Sequence, residues 1–129
     1  MTNDLWALVA ALLLASVQLG IASVLTLRQA GGAWVLSARD TPREVTGVSG
    51  RFVRAHRNLL EIFPQFVAAL FVVHAAHAVG SLAAVGAWAF VAARVLYVPA
   101  YAFGPPGVRP LLWQAAWVGI VTILADLFW

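Results

Sequence analysis

The residues best able to do chemistry in this 129-residue chain stand in one run, Arg51-Phe52-Val53-Arg54-Ala55-His56-Arg57-Asn58-Leu59-Leu60-Glu61-Ile62-Phe63-Pro64-Gln65. Successive residues of a helix turn by about 100°, which brings Arg51, Arg54, Asn58, Glu61 and Gln65 within roughly 80° of one another. They make one polar stripe about four turns long, with Phe52, Leu59, Leu60, Ile62 and Phe63 on other faces. A second group, Arg94, Tyr97 and Tyr101, is spaced i, i+3, i+7 and also shares a face. Arg109 precedes Pro110, and proline suits the first position of a helix. The expected place of Arg109 is therefore a helix N-terminus, where a guanidinium and the positive end of the dipole act together on an anion. Arg54, Arg94 and Arg109 offer cations, Asn58 and Gln65 amides, Tyr97 and Tyr101 hydroxyls, and Glu61 a lone acid. That set suits a small zwitterionic, peptide-like ligand. The competing reading is structural: Glu61 neutralises Arg57 or Arg94, and the stripe joins helices or snorkels to an interface. That reading suits a single pair in a membrane bundle better than it suits seven or eight polar groups on converging faces.

Other polar residues carry less. Cysteine is absent, so the chain has no disulfide, no thiolate metal site and no cysteine nucleophile, and thiol chemistry needs a thiol from outside. His74 and His77 share a helix face near the outer end of their span with no carboxylate in reach by sequence, so no metal site is expected. Asp4 and Asp126 read as solvated ends near the outer surface. Gln18, Ser16 and Ser23 read as hydrogen-bonding groups between helices. Pro64 and Pro99 are expected to kink their helices and free carbonyls near the polar faces.

The elements that must position these residues follow from composition. The chain is 63% hydrophobic and 10% charged, against roughly 25% charged in a soluble domain, so its apolar excess must face lipid. Disorder, collagen and disulfide scaffolds are excluded on the same numbers. Leu5 to Leu27 carries no charge and is long enough to cross a hydrocarbon core of about 30 Å. A cleaved signal peptide is disfavoured, because Met1 to Asp4 has no positive charge and the apolar run is too long. Residues 28–58, broken by Gly31, Gly32, Pro42, Gly47 and Gly50, read as a loop running into a helix. Further spans are expected at about 59–79, 82–103 and 111–129, separated by a turn at Gly80-Ser81 and by Gly104-Pro105-Pro106-Gly107. The expected fold is an all-α membrane protein, a four-transmembrane-helix bundle in one domain over residues 1–129. Arg28, Arg39, Arg43, Arg51, Arg54, Arg57 and Arg109 all fall in the 28–58 loop or the 104–110 turn. The positive-inside rule then puts that end in the cytoplasm and both termini outside, with Trp6 and Trp129 in one aromatic belt and Trp34 and Trp113 in the other.

The segment Arg54-Ala55-His56-Arg57-Asn58-Leu59-Leu60-Glu61-Ile62-Phe63-Pro64 resembles the signature of the MAPEG superfamily, membrane-associated proteins in eicosanoid and glutathione metabolism. Its core, R-A-x-x-N-x-x-E-x-x-P, comes at the start of the second span. Ala93-Arg94-Val95-Leu96-Tyr97-Val98-Pro99-Ala100-Tyr101, with Arg109 downstream, is similar to the third-helix motif of the same superfamily. The resemblance covers the whole chain, and the compact Gly-Pro turn is most similar to bacterial members resembling microsomal glutathione transferases, which implies a bacterial inner membrane.

It implies a homotrimer that binds glutathione as co-substrate between subunits at the cytoplasmic side, with no metal. Carried over, Arg54, Asn58 and Glu61 match the helix-two contacts to glutathione, Arg94, Tyr97 and Tyr101 the helix-three contacts, and Arg28 another. Arg109 resembles the arginine that stabilises the glutathione thiolate, although its spacing from Tyr101 varies in the family, and Gln29 stands where some relatives have a second arginine. The activity implied is glutathione transfer to hydrophobic electrophiles, with reduction of lipid hydroperoxides beside it. A non-catalytic lipid-binding branch of the superfamily lacks much of the Arg/Glu set that this chain retains. A small multidrug exporter needs an acid in its first span, and Leu5 to Leu27 has none. The electrophile itself is not legible in the sequence.

Overall fold

The charge-free run at the start of the chain folds as one long helix, α1 (Asn3–Ala30), whose exposed face carries Leu12, Leu13, Val17, Ile21 and Val24. In a computed structural model, residues 1–128 are described; Trp129, expected in the outer aromatic belt and as the last residue of the fourth span, lies outside them. A short helix, α2 (Gly32–Leu36), and an irregular segment to Thr46 lead into α3 (Gly47–Ala75). Then come α4 (Ser81–Phe103), α5 (Val108–Ala125) and a closing 3₁₀ turn, Asp126–Phe128. Four helical segments are long and apolar enough to span a membrane: α1, α3, α4 and Val108–Phe128. Among the described residues there is no strand.

Small residues decide how closely the helices approach. The buried seam of α1 is Asp4, Ala7, Ala11, Gln18 and Ala22, a narrow line at the spacing of a helix packing by one stripe. The α4–α5 contact is closer still. A Cβ added at Gly86 would lie 2.4 Å from the Gly119 carbonyl oxygen, and one added at Gly119 would lie 2.7 Å from that of Gly86. Paired glycines of this kind let backbones touch where no difference in hydrophobicity drives helices together. From α3, Leu59, Ile62, Phe66, Leu70 and Val73 fill the centre, and the rings of Phe66 and Phe90 stack at 4.1 Å. Large apolar side chains remain outside, among them Leu13, Phe71 and Trp117, as a lipid-facing surface demands.

The helix ends depart from expectation in ways that make sense physically. The second span was expected to reach Val79, but α3 stops at Ala75. There the His77 N–H donates to the His74 carbonyl and the Ala78 N–H to the Val73 carbonyl, with His77 at φ 53. This is a Schellman cap whose left-handed position, usually glycine, is held by histidine. His77 therefore leaves the helix and shares no face with His74. His74 instead meets Asp4 at 2.5 Å, and Asp4 is buried, so two expectations are corrected, that Asp4 is a solvated end and that no carboxylate lies near His74. Asp126 is buried as well. Its Oδ2 accepts the N–H groups of Gly80 and Ala83 at 2.8 and 2.7 Å, capping α4 from the far end of the chain because Gly80 has no side chain to do so. Ser16 also differs from expectation: it donates to Leu12 O within its own helix, satisfying a hydroxyl on the exposed face locally. Gln18 is buried, and its amide finds no partner among the described residues.

Candidate functional site

The polar stripe forms because α3 starts at Gly47 and continues through residue 65 without a break, so that the i, i+3, i+4 spacing of Arg54, Arg57, Asn58 and Glu61 becomes a physical row. Its neighbours are α4, which presents Tyr97 and Tyr101, and the first turn of α5, which presents Arg109. Gly107, at φ 96, makes the sharp entry into α5 that a side chain would strain. Together these elements surround a cavity of about 460 Å³. Arg54, Arg57, Asn58, Glu61, Tyr97, Tyr101 and Arg109 line it, and Trp113 and Gln114 close the α5 side. The volume lies within the range of roughly 300–1,000 Å³ typical of small-molecule sites.

Within the cavity the contacts form two groups. Asn58 Nδ2 donates to Glu61 Oε2 at 3.2 Å, and Asn58 Oδ1 accepts from Arg94 Nη1 at 3.0 Å. The Arg94 guanidinium carbon lies 4.2 Å from the centre of the Tyr97 ring, and Arg94 is 1% exposed. Arg94 thus sits behind the wall and reaches the cavity through Asn58. In the second group, the Arg109 guanidinium carbon lies 4.9 Å from the centre of the Tyr101 ring, and the Tyr97 and Tyr101 rings are 5.7 Å apart. Arg109 is exposed, with its charge available on the cavity side.

Among the described residues no arginine makes a salt bridge; the one such contact is between Asp4 and His74 at the other end of the molecule. Glu61 therefore makes with neither Arg57 nor Arg94 the direct ion pair that the structural reading of the stripe requires. Three guanidiniums, from Arg54, Arg57 and Arg109, face one cavity with a single carboxylate. Such a site can hold an anion with two or more negative groups and one positive group, and can stabilise a further negative charge beside Arg109.

The expected residues are not all in one place. Arg54, Asn58, Glu61, Tyr97, Tyr101 and Arg109 meet at the cavity, while Arg28 stands exposed at the end of α1 and does not line it. Gln65 lies a turn beyond Glu61 and is also outside the lining. Three lining residues escaped the reading of the sequence: Arg57, Trp113 and Gln114. Their signal was present, because Trp113 and Gln114 follow Arg109 by four and five residues, but a tryptophan near a membrane interface has an ordinary explanation as an anchor. No group of three or more metal-ligating side chains occurs among the described residues.

No curated protein and no solved structure matches the chain. The profile of the MAPEG family matches residues 5–129. With four membrane-spanning helices and a polar cavity built by its signature residues, the chain belongs to the MAPEG family, integral multi-pass membrane proteins related to glutathione and eicosanoid metabolism.

Proposed function

We propose that this protein is a glutathione transferase of the membrane, joining the glutathione thiolate to hydrophobic electrophiles, with reduction of lipid hydroperoxides as an accompanying activity. The observation that carries the proposal is the convergence of Arg54, Arg57, Glu61 and Arg109 on one cavity without salt bridges among them. Glutathione presents two carboxylates, one ammonium and one thiol, and the residues fit that inventory. Arg54 and Arg57 take carboxylates, Glu61 takes the ammonium, and Tyr97 and Tyr101 supply hydroxyl donors along the peptide. Arg94 is a positioning residue in this scheme, fixing Asn58 and through it the Glu61 carboxylate.

Arg109 does the chemical work. A free thiol has a pKa of about 8.5 and is mostly protonated at neutral pH; a fixed guanidinium at a helix N-terminus favours the thiolate. The sulfur lone pair then forms a bond to the electrophilic carbon of the acceptor, and the displaced electron pair leaves with the departing group or is protonated after addition. Trp113 and the lipid-facing surface of α5 give an apolar acceptor a route to the cavity. In the homotrimer that family membership suggests, a second subunit closes the exposed side of the cavity and brings Arg28 to it. The expected location is the bacterial inner membrane, with the Arg-rich end in the cytoplasm.

The test is the ultraviolet absorbance of thiolate on adding glutathione to purified protein, together with conjugation of a chromogenic electrophile. A thiolate band and turnover are expected. Absence of both, under conditions where another family member works, would overturn the proposal. Binding without turnover on any electrophile would instead place the protein with the non-catalytic, lipid-binding branch.

A further inference from the structure

A second cavity, of about 380 Å³, lies between the segment leading to Thr46 and the start of α3. Arg39, Arg43, Arg54 and Arg57 line it, against one acid, Glu44, and among the described residues none of the five makes a salt bridge. Arg39 and Arg43 are held in place by backbone contacts. Arg39 stands at φ 61, bonds the Val35 carbonyl through Nη2 at 3.2 Å and lies over the Trp34 ring at 5.3 Å. Arg43 donates through Nη1 to the Ala30 carbonyl at 2.8 Å. Both keep further N–H groups free for an anion.

A smaller groove of about 200 Å³ continues from this cavity, sharing Arg39 and Thr26 with it and adding Ala22, Ser23 and Val35. Ala22 and Thr26 belong to the charge-free run that spans the membrane, so the groove descends along α1 by about one helical turn, roughly 5–6 Å. The Thr26 hydroxyl donates to the Ala22 carbonyl at 2.8 Å, so it is satisfied within its own helix. Beside the groove, Leu36 is 88% exposed and Trp34 half-buried, the side chains of an element lying at the membrane interface. One furrow thus has a cationic head and an apolar tail that points into the bilayer.

We propose that this furrow binds one anionic glycerophospholipid, with the phosphate between Arg39 and Arg43 and an acyl chain along Ala22, Ser23 and Val35. The excess of guanidiniums favours an anionic over a zwitterionic headgroup, and the apolar extension favours a lipid over free phosphate. The assignment does not depend on the proposed transferase activity. Arg54 and Arg57 line both cavities, so the test uses Arg39, Arg43 and Ser23, which line the furrow and not the candidate site.

Delipidated full-length protein in detergent is titrated with fluorescent phosphatidylglycerol, then with unlabelled phosphatidylglycerol, phosphatidylcholine or inorganic phosphate as competitor. Phosphatidylglycerol is expected to compete at a concentration about tenfold or more below phosphatidylcholine, and inorganic phosphate only far above both. The double variant Arg39→Gln/Arg43→Gln, checked for unchanged helix content, is expected to bind about 25-fold more weakly. Ser23→Trp fills the tail of the furrow, leaves every cation in place and is also expected to weaken the lipid. Equal competition by the two lipids overturns the proposal, as does unchanged affinity in a folded double variant or in Ser23→Trp. Competition by inorganic phosphate as effective as that of the lipid assigns the site to a free anion and overturns it too. Should the double variant not fold, lipid selectivity of the wild type and Ser23→Trp still decide.

Discussion

Arg109 and Glu61 line the same cavity, and under the proposed function they act on different charges of a bound thiol peptide. The guanidinium of Arg109 matters most when the sulfur is negative, so Arg109→Ala is expected to lower turnover by about 100-fold or more while glutathione affinity changes little. The carboxylate of Glu61 meets a charge that is present throughout, so Glu61→Ala is expected to weaken glutathione binding by about 10–100-fold, with turnover at saturation largely kept. Steady-state kinetics beside equilibrium binding separates the two, and the reverse pattern would overturn the assignment of roles. At this scale the sequence was informative where helical arithmetic applies. Arg54, Asn58 and Glu61 share a stripe because their spacing fixes direction around an axis. Arg94 shows the limit: its spacing places it on the face of Tyr97, but direction says nothing of depth, and packing puts its guanidinium behind the cavity wall, under the Tyr97 ring. The partner that fixes it, Asn58, is on another helix, 36 residues away.

The helices themselves were legible as uninterrupted apolar runs, and their ends were not, because each end is closed by a residue whose role arises only in three dimensions. The left-handed His77 stops α3 where the sequence pattern runs on to Gly80. Asp126 closes the start of α4 from 43 residues away, at Ala83, in place of a local cap. Its carboxylate meets two backbone N–H groups at the positive end of a helix while 8% exposed, so removing it leaves the buried Ala83 donor without a partner and frees the Gly80 donor at an exposed position. Asp126→Ala is expected to lower stability by about 1–2 kcal/mol, and Asp126→Asn by less because the amide oxygen still accepts. Thermal unfolding in one detergent, followed by helix content, measures both. A stability equal to wild type for Asp126→Ala would mean that water replaces the carboxylate and that the cap contributes nothing. The Asp4–His74 contact adds a second tie at this end, joining the first turn of α1 to the last turn of α3.

Over the whole molecule, charge is distributed by end. Arg28, Arg39, Arg43, Arg51, Arg54, Arg57 and Arg109 lie at the end where α1 finishes and α3 and α5 begin, and the opposite end has Asp4, Asp126, His74 and His77 with no arginine. Both proposed ligands bind where the arginines are, since both are anions, and the same residues that would recognise them bias the topology. This asymmetry was fully legible in the sequence, because it needs only the order of spans and charges and no knowledge of packing. It also gives a clean test of orientation, because the chain has no cysteine and one introduced thiol reports alone. Ala38 and Ser81 are exposed at opposite ends, outside the membrane-facing surfaces of α1 and α3. In intact bacterial cells, a membrane-impermeant maleimide is expected to label Ser81→Cys at once and Ala38→Cys only after the inner membrane is permeabilised. Immediate labelling of Ala38→Cys with protection of Ser81→Cys would invert the molecule. The cavity proposed for glutathione would then open away from the cytoplasmic glutathione pool, and the transferase proposal would lose its supply of co-substrate, whereas the furrow proposed for an anionic lipid would stand in either orientation.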